Sequence, residues 1–141
     1  MAFACKPVSA ADSWRLVTRG IKNATSQTFT AGSLTFASSG TATQTTVTAM
    51  TNCLGIGMST IGSSDAAYST STFYPYLAPK NGLESEFVCP STGTTYGEGA
   101  CCDVSSAAQV NCAADSVKVI MIKRKLSTTA GIFAINRAVS V

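Results

Sequence analysis

Short runs that mix apolar, β-branched and polar residues recur along the chain between glycines and polar loops, which is typical of β-strands. Residues 14–19, 26–30, 33–37 and 44–49 are runs of this kind. Gly32 stands between the second and third runs. Because glycine readily adopts the positive φ of a tight turn, this spacing predicts a hairpin. Threonine and valine in the fourth run predict a strand with one exposed face.

The middle of the chain contains three further strand signals. Residues 53–58 are mainly apolar and include two glycines, which predicts a buried strand with close backbone approach. Residues 72–77 are aromatic but contain Pro75, and this predicts an edge strand because proline lacks the N–H that a central strand donates. Residues 84–89 follow a turn signal at 79–82 and predict another strand.

The clearest strand signals are the last two, at residues 117–122 and 132–139. Because the short segment 127–131 joins them, we expect them to pair as adjacent antiparallel strands in the core. No long window shows the spacing of an amphipathic helix. The sequence therefore predicts an all-β fold, a compact single-domain β-barrel or β-sandwich of about eight or nine short, mainly antiparallel strands. Residues 1–13 are expected to form an irregular N-terminal arm, and residues 14–141 the domain.

Composition adds an expectation about the surface. Charged residues make up 12% of the chain and hydrophobic residues 45%, whereas charged residues reach about 25% in an average soluble domain. A surface built mainly from Ser, Thr and Ala is expected either to be covered by neighbouring molecules or to belong to a secreted domain. The net charge of +3 is too small and too dispersed to indicate nucleic-acid binding.

Cellular location is also an expectation from the residue pattern. No apolar run approaches the roughly 20 residues of a membrane span. The first residues lack the basic-then-apolar order of a signal peptide. We therefore expect a protein that has no contact with a membrane and that is either made and used inside a cell or released by a route other than signal-directed secretion, such as lysis.

Side chains that carry chemistry are scarce. The chain has no histidine, which excludes Ser-His-Asp triads, Cys-His nucleophiles and histidine metal ligands. There is no glycine-rich phosphate loop. Glu84 and Glu86 alternate along one predicted strand, and a solvated sheet edge is favoured over an acid–base pair. The prediction is a protein that is not an enzyme, with no catalytic residue and no cofactor.

Six cysteines are the sharpest feature, and four of them, Cys89, Cys101, Cys102 and Cys112, crowd one region. Zinc binding is disfavoured because no Cys-x-x-Cys pair is present, so no metal is predicted. Buried thiols and disulfides both stay open. Adjacent residues of a strand face opposite sides, so Cys101 and Cys102 should diverge. Cys89 and Cys112 are expected within bonding reach of that adjacent pair.

The order of several stretches resembles the small decoration, or cement, proteins of tailed-bacteriophage capsids. These stretches are residues 21–32, 54–56, 76–79, 84–87, 93–96, 117–119 and 131–135. The resemblance implies a compact β-barrel on the outer surface of the virion, assembled in the host cytoplasm. It also implies binding across junctions of the major capsid protein, with self-association as a trimer or dimer. The abundance of cysteine departs from the usual pattern of that family.

The N-terminal arm is the candidate capsid-contacting segment, with Phe3, Lys6 and Pro7 as its candidate contact residues. The competing interpretation of the same residues is a frayed chain end.

Two other functions stay open from the sequence. One is an extracellular binding module, an adhesin or carbohydrate-binding domain, in which Trp14, Tyr74, Tyr76 and Tyr96 form a platform for stacking sugars. The other is a phage tail or fibre component.

Overall fold

The structure is a computed structural model that describes residues 4–8, 11–18, 22–23, 28–38, 41–44, 53–62, 73–80, 82–93, 95–112 and 120–135. Within these residues it contains twelve β-strands, two 3-10 helices (Ala11–Ser13 and Gly82–Glu84) and no α-helix. The predicted all-β fold is confirmed. In chain order the strands are β1 (Lys6–Pro7), β2 (Trp14–Val17), β3 (Lys22–Asn23), β4 (Leu34–Ser38), β5 (Thr41–Thr43), β6 (Cys53–Gly57), β7 (Tyr76–Pro79), β8 (Glu86–Thr92), β9 (Cys101–Ser106), β10 (Gln109–Asn111), β11 (Ile120–Lys125) and β12 (Ala130–Ile135).

The strands form two sheets of six strands each. The first has the order β1-β8-β10-β9-β11-β12, with β8 pairing also with β12, and the second has the order β2-β7-β6-β4-β5-β3. All pairings are antiparallel except β8 with β10 and β3 with β5. The two sheets together do not close into one barrel, and of the two predicted architectures the arrangement fits a β-sandwich.

The predicted pairing of the last two strands is confirmed. Ile120 lies opposite Ile135 and Ile122 opposite Phe133 in the antiparallel pair β11–β12. All four side chains are buried, which explains why this hairpin is apolar and central. The remainder of the predicted strands, residues 117–119 and 136–139, lies outside the described residues.

Two other strand predictions are corrected. The turn before β4 has the predicted positive φ at Gly32, 87°, but β4 pairs with β5 and β6 and not with residues 28–30, the described part of the predicted partner strand. Instead, Phe29 forms an isolated bridge with Ile61. The segment after Pro75 is not at an edge. Strand β7 begins one residue later, at Tyr76, and lies between β2 and β6.

The described part of residues 1–13 differs from an irregular arm. Strand β1 pairs with β8, and Cys5 is fully buried. At the last residue of the first 3-10 helix, the carbonyl oxygen of Ser13 accepts hydrogen bonds from Lys80 N at 2.7 Å and Ser85 Oγ at 2.6 Å. Because a polar carbonyl and a buried thiol both find partners on the body of the protein, this segment packs against the sheets.

The main hydrophobic core draws side chains from both sheets. Leu34, Phe36 and Ile56 come from the second sheet and pack in one cluster with residues such as Phe87 and Ile122 of the first. The ring of Trp14 meets that of Phe87 edge to face, with 6.3 Å between centroids. A smaller core comprises Phe29, Ala42, Ile61 and Tyr74.

Candidate functional site

The six cysteines are thiols, and all but the half-buried Cys101 lie in the protein interior. In the part of the chain that the structure describes, no three His, Cys, Asp or Glu side chains are grouped so as to hold a metal ion. Four of the cysteines instead form two pairs, each where neighbouring strands of the first sheet meet.

The first pair joins the N-terminal segment to the sheet. The register of β1 on β8 places Lys6 opposite Val88, so Cys5 lies opposite Cys89. Their sulfur atoms are 2.8 Å apart and hydrogen-bonded. Cys89 was expected beside the adjacent cysteines at 101–102, but the sulfur it contacts is that of Cys5. The sequence analysis missed Cys5 because it assigned this residue to an arm.

The environment of Cys5 favours its neutral form. The hydrogen bond with Cys89, followed by burial, raises the pKa of the Cys5 thiol far above its ordinary value. Negative charge on Cys89 or Cys53 would act in the same direction. With β1 paired to β8, Cys5 is therefore a protonated thiol at neutral pH and a poor nucleophile.

The second pair is Cys102 and Cys112. Strand β10 runs antiparallel to β9 with Asn111 opposite Asp103, so Cys112, the next residue, lies opposite Cys102. Burial raises the pKa of the Cys112 thiol, while nearby Lys125 and hydrogen bonds with Cys102 and Ser91 partly oppose the rise. The structure thus places Cys112 beside the adjacent cysteines, as expected from the sequence.

The adjacent cysteines also differ in burial as strand alternation predicts. Cys102 is fully buried, whereas Cys101 is half-buried. Cys101 lies opposite Met121 of β11.

In the described part of the chain, two of the three exposed large hydrophobic side chains lie near its start. Among the described residues the exposed large hydrophobic side chains are Val8, Leu16 and Leu126, at 48%, 55% and 48% exposure. Val8 follows β1, and Leu16 lies on β2, at one end of the second sheet. Lys6 and Arg15 are exposed beside them in sequence. Lys6 and Val8 lie in or next to the end strand of the first sheet, and Arg15 and Leu16 lie on an end strand of the second. We call these four exposed residues, which are grouped by their closeness in sequence, the N-terminal surface.

The three predicted contact residues of the arm differ in exposure or in whether the structure describes them. Lys6 is exposed and Pro7 is half-buried within β1. Phe3 lies outside the described residues.

The aromatic platform of the binding-module interpretation is not formed. Tyr74 is fully buried, and Trp14 and Tyr76 are 7% and 8% exposed. Tyr96 is half-buried and packs against the main core. The ring of Tyr74 stacks on Phe29 with 4.5 Å between centroids. These rings contact the protein's own core and offer no shared open face for a sugar.

Tyr74 instead belongs to a buried polar network. Its hydroxyl donates to the carbonyl oxygen of Ser59 at 2.7 Å and accepts from Gln44 Nε2 at 3.1 Å. Gln44 Oε1 accepts from the backbone N–H of Thr30 at 2.7 Å, and its Nε2 also contacts Thr35 Oγ1 at 3.0 Å. Burial raises the pKa of Tyr74 to about 12, against the opposing effect of these hydrogen bonds. These hydrogen bonds join Tyr74 of the small core to Gln44, to Ser59 and, through Gln44, to the segment that contains Thr30 and Thr35.

The two glutamates do not form an acid–base pair. Glu84 ends a 3-10 helix and is exposed, while Glu86 begins β8. Glu86 Oε2 is 3.7 Å from Lys123 Nζ, with both side chains about one-third exposed. This is a surface ion pair, which contributes little to stability. The expectation that the two glutamates share one strand is thereby corrected.

No helix among the described residues is long and apolar enough to span a membrane.

Comparisons of the chain with protein-family models, with curated protein sequences and with solved structures give no match. The resemblance to capsid decoration proteins therefore stays a prediction.

Proposed function

We propose that this protein is a non-enzymatic structural component of a virus particle: a capsid decoration protein that binds across junctions of the major capsid protein and stabilises the head. The observation that carries the proposal is the N-terminal surface. It holds two of the three exposed large hydrophobic side chains of the described chain, Val8 and Leu16.

The charge distribution supports the same proposal. With 12% charged residues, the chain has few side chains that oppose association with a neighbour. Arg15 and Leu16 are both exposed on β2, an edge strand. An edge strand is a surface onto which a strand of another chain can add by main-chain hydrogen bonds. A capsid-protein segment is the partner that the proposal assigns to this edge.

Stabilisation of the head would follow from mass action. A protein that binds the assembled shell and not its dissociated subunits shifts the equilibrium towards the shell. Many weak copies on one lattice add their contributions, and self-association as a dimer or trimer would strengthen each attachment through multivalency.

The test is to strip intact particles of this protein, add back purified variants and heat the particles. Wild-type protein should raise the temperature at which DNA escapes, and Leu16→Ser should raise it less because the apolar contact is lost. Leu126→Ser is the matched control, since Leu126 is similarly exposed but lies in the turn between β11 and β12. It should protect as wild type does.

Equal protection by wild type and Leu16→Ser would remove the N-terminal surface from the proposal. No protection by any variant would remove the decoration function. Binding to purified tails and not to heads would reassign the protein to a tail or fibre component.

A further inference from the structure

The two cysteine pairs share one geometric feature. In an antiparallel pair of strands, positions alternate between hydrogen-bonded and non-hydrogen-bonded residues, and the second kind brings opposite Cα atoms to about 4.5 Å. Disulfides need Cα atoms about 4.4–6.8 Å apart. A cysteine pair at a non-hydrogen-bonded position can therefore be bridged without backbone movement.

Cys5 and Cys89 occupy such a position. Val8 N donates to Glu86 O at 2.9 Å, which makes Val8 and Glu86 a hydrogen-bonded pair. Alternation then places Pro7, which has no N–H to donate, at a non-hydrogen-bonded position, and Cys5 two residues earlier at the next one. The backbone N–H of Cys5 accordingly donates elsewhere, to the carbonyl oxygen of Gly32 at 2.7 Å.

Cys102 and Cys112 occupy the same kind of position. The backbone N–H of Cys112 donates to Thr92 O at 2.8 Å, and its carbonyl oxygen accepts from Tyr96 N at 3.1 Å. Both polar groups thus point away from β9, so the pair opposite Cys102 carries no ladder hydrogen bond. The hydrogen bond between the two side chains agrees with this arrangement.

The other two cysteines lie opposite different residue types. Cys53 of β6 lies opposite Phe36 of β4, and Cys101 lies opposite Met121 of β11. Four of the six cysteines thus lie opposite another cysteine, whereas Cys53 and Cys101 do not.

We propose that Cys5–Cys89 and Cys102–Cys112 are two disulfide sites, which close when the protein meets a small-molecule disulfide such as oxidised glutathione. This inference stands independently of the proposed function. In each reaction one protein thiolate attacks a glutathione sulfur and releases one glutathione. The partner thiolate then attacks the mixed disulfide and releases the second. One protein S–S bond forms and the S–S bond of the oxidant breaks, two electrons pass to the oxidant, and the two thiol protons end on the two released glutathione molecules.

Burial sets the route of the reaction at the first site. Cys5 and Cys89 are 0% and 1% exposed, so oxidised glutathione reaches them only when the segment opens. Strand β1 has two residues and lies at the end of its sheet, and such elements open locally at low free-energy cost. Closure of this bridge would fix Lys6 and Val8, the two residues of the N-terminal surface next to Cys5, to β8.

The experiment is disulfide mapping of the full chain after treatment with oxidised glutathione, both in the native state and during refolding in a glutathione buffer. Remaining thiols are alkylated, and the unreduced protein is cleaved after Glu and Asp. This cleavage separates the cysteines, except the adjacent pair, into fragments 1–12, 13–65, 87–98, 99–103 and 104–115. We expect fragment 1–12 linked to 87–98, and 99–103 linked to 104–115, with two thiols alkylated.

Single Cys→Ser variants identify which cysteines form each of the two links. Cys102→Ser should abolish the second link and Cys101→Ser should keep it. Cys5→Ser should abolish the first link and Cys53→Ser should keep it. The midpoint of thermal unfolding should rise by roughly 10 °C on oxidation of the wild type, mainly through the bridge between Cys5 and Cys89, which are 84 residues apart in sequence.

Two results on the wild-type protein would overturn the proposal, whether or not the variants fold. One is alkylation of all six thiols after both oxidation routes. The other is a different set of linked fragments, such as 87–98 joined to 99–103.

Discussion

Tyr74 shows how a single side chain can serve the core and a polar network at once. Its ring is fully buried against Phe29, and its hydroxyl contacts Ser59 and Gln44. The sequence analysis treated this tyrosine as part of a surface platform because an aromatic ring with a hydroxyl suits either setting. The partner that decides between the two, Gln44, is 30 residues away in sequence and no local pattern points to it.

The buried hydroxyl predicts a dependence of stability on alkaline pH. Burial raises the pKa of Tyr74 from 10.0 to about 12. Between these values the unfolded chain loses the phenolic proton while the folded chain keeps it. The stabilisation is therefore fully present below about pH 10 and is lost as the pH rises towards 12.

We predict that Tyr74→Phe lowers the free energy of unfolding at pH 7 by about 1–2 kcal/mol, because the Ser59 carbonyl loses its donor. Above pH 10 the variant should lose stability less steeply than wild type. Urea unfolding of both proteins from pH 7 to 12, with all thiols kept reduced, measures the difference. Parallel curves for the two proteins throughout this range would exclude Tyr74 as the titrating group.

The cysteines also include one feature that the sequence predicts and one that it does not. The alternation of Cys101 and Cys102 follows from strand geometry and was predictable. The contact between Cys5 and Cys89 was not, because it depends on a two-residue strand that pairs with a segment more than 80 residues away. A short strand of this kind leaves too few residues for a period of two to be recognised.

At the scale of elements, the approach of β6 to β7 depends on one glycine. Gly55 has a φ of 151°, a conformation that L side chains rarely adopt, and a Cβ atom there would collide with the carbonyl oxygen of Leu77 in β7. The obstruction is backbone, which cannot rotate away as a side chain can. The sequence analysis expected close backbone approach in this strand, and the contact explains the requirement.

We therefore predict that Gly55→Ala lowers the free energy of unfolding by roughly 2–4 kcal/mol, through strain at this φ and separation of the two strands. Gly97→Ala is the control, since a Cβ atom there meets no atom within 4 Å. It should change stability by less than about 0.5 kcal/mol. Chemical denaturation of the three proteins decides the point, and equal stability of Gly55→Ala and wild type would show that the sheet tolerates the side chain.

Elements were predictable where they are local and periodic. The hairpin of β11 and β12 joins two apolar runs by a short turn, so its pairing followed from the sequence. The partner of β4 did not, because a positive φ at Gly32 marks a turn without specifying which strand lies beside it. Pro75 was placed at an edge because the start of β7 was expected before it, whereas the strand begins immediately after it.

At the scale of the molecule, the pattern of alternation indicated the fold class and left the arrangement of sheets open. Alternation tells which face of a strand is buried and carries no information on its neighbour. Strand β8 takes β1, β10 and β12 as partners, from three distant parts of the chain. Such non-local pairings give two sheets that share one core, and not a single barrel.

The proposed capsid contact rests on the low charge of the chain and on the exposed residues of the N-terminal surface. The charged fraction of 12% could be read directly from the sequence. The position of that surface could not, because residues 4–8 were expected to extend from the domain, whereas β1 pairs with β8. Any contact with a capsid would therefore be made by a segment already held on the folded body.

The most direct test of the proposed decoration function is the copy number of this protein in intact, purified particles of the virus to which the proposal assigns it. Quantitative mass spectrometry against the major capsid protein gives that number. We predict a fixed ratio to the major capsid protein that repeats across preparations and does not change when tails are removed. Absence from the particles, or a ratio that varies between preparations or falls with the tails, would contradict the proposal.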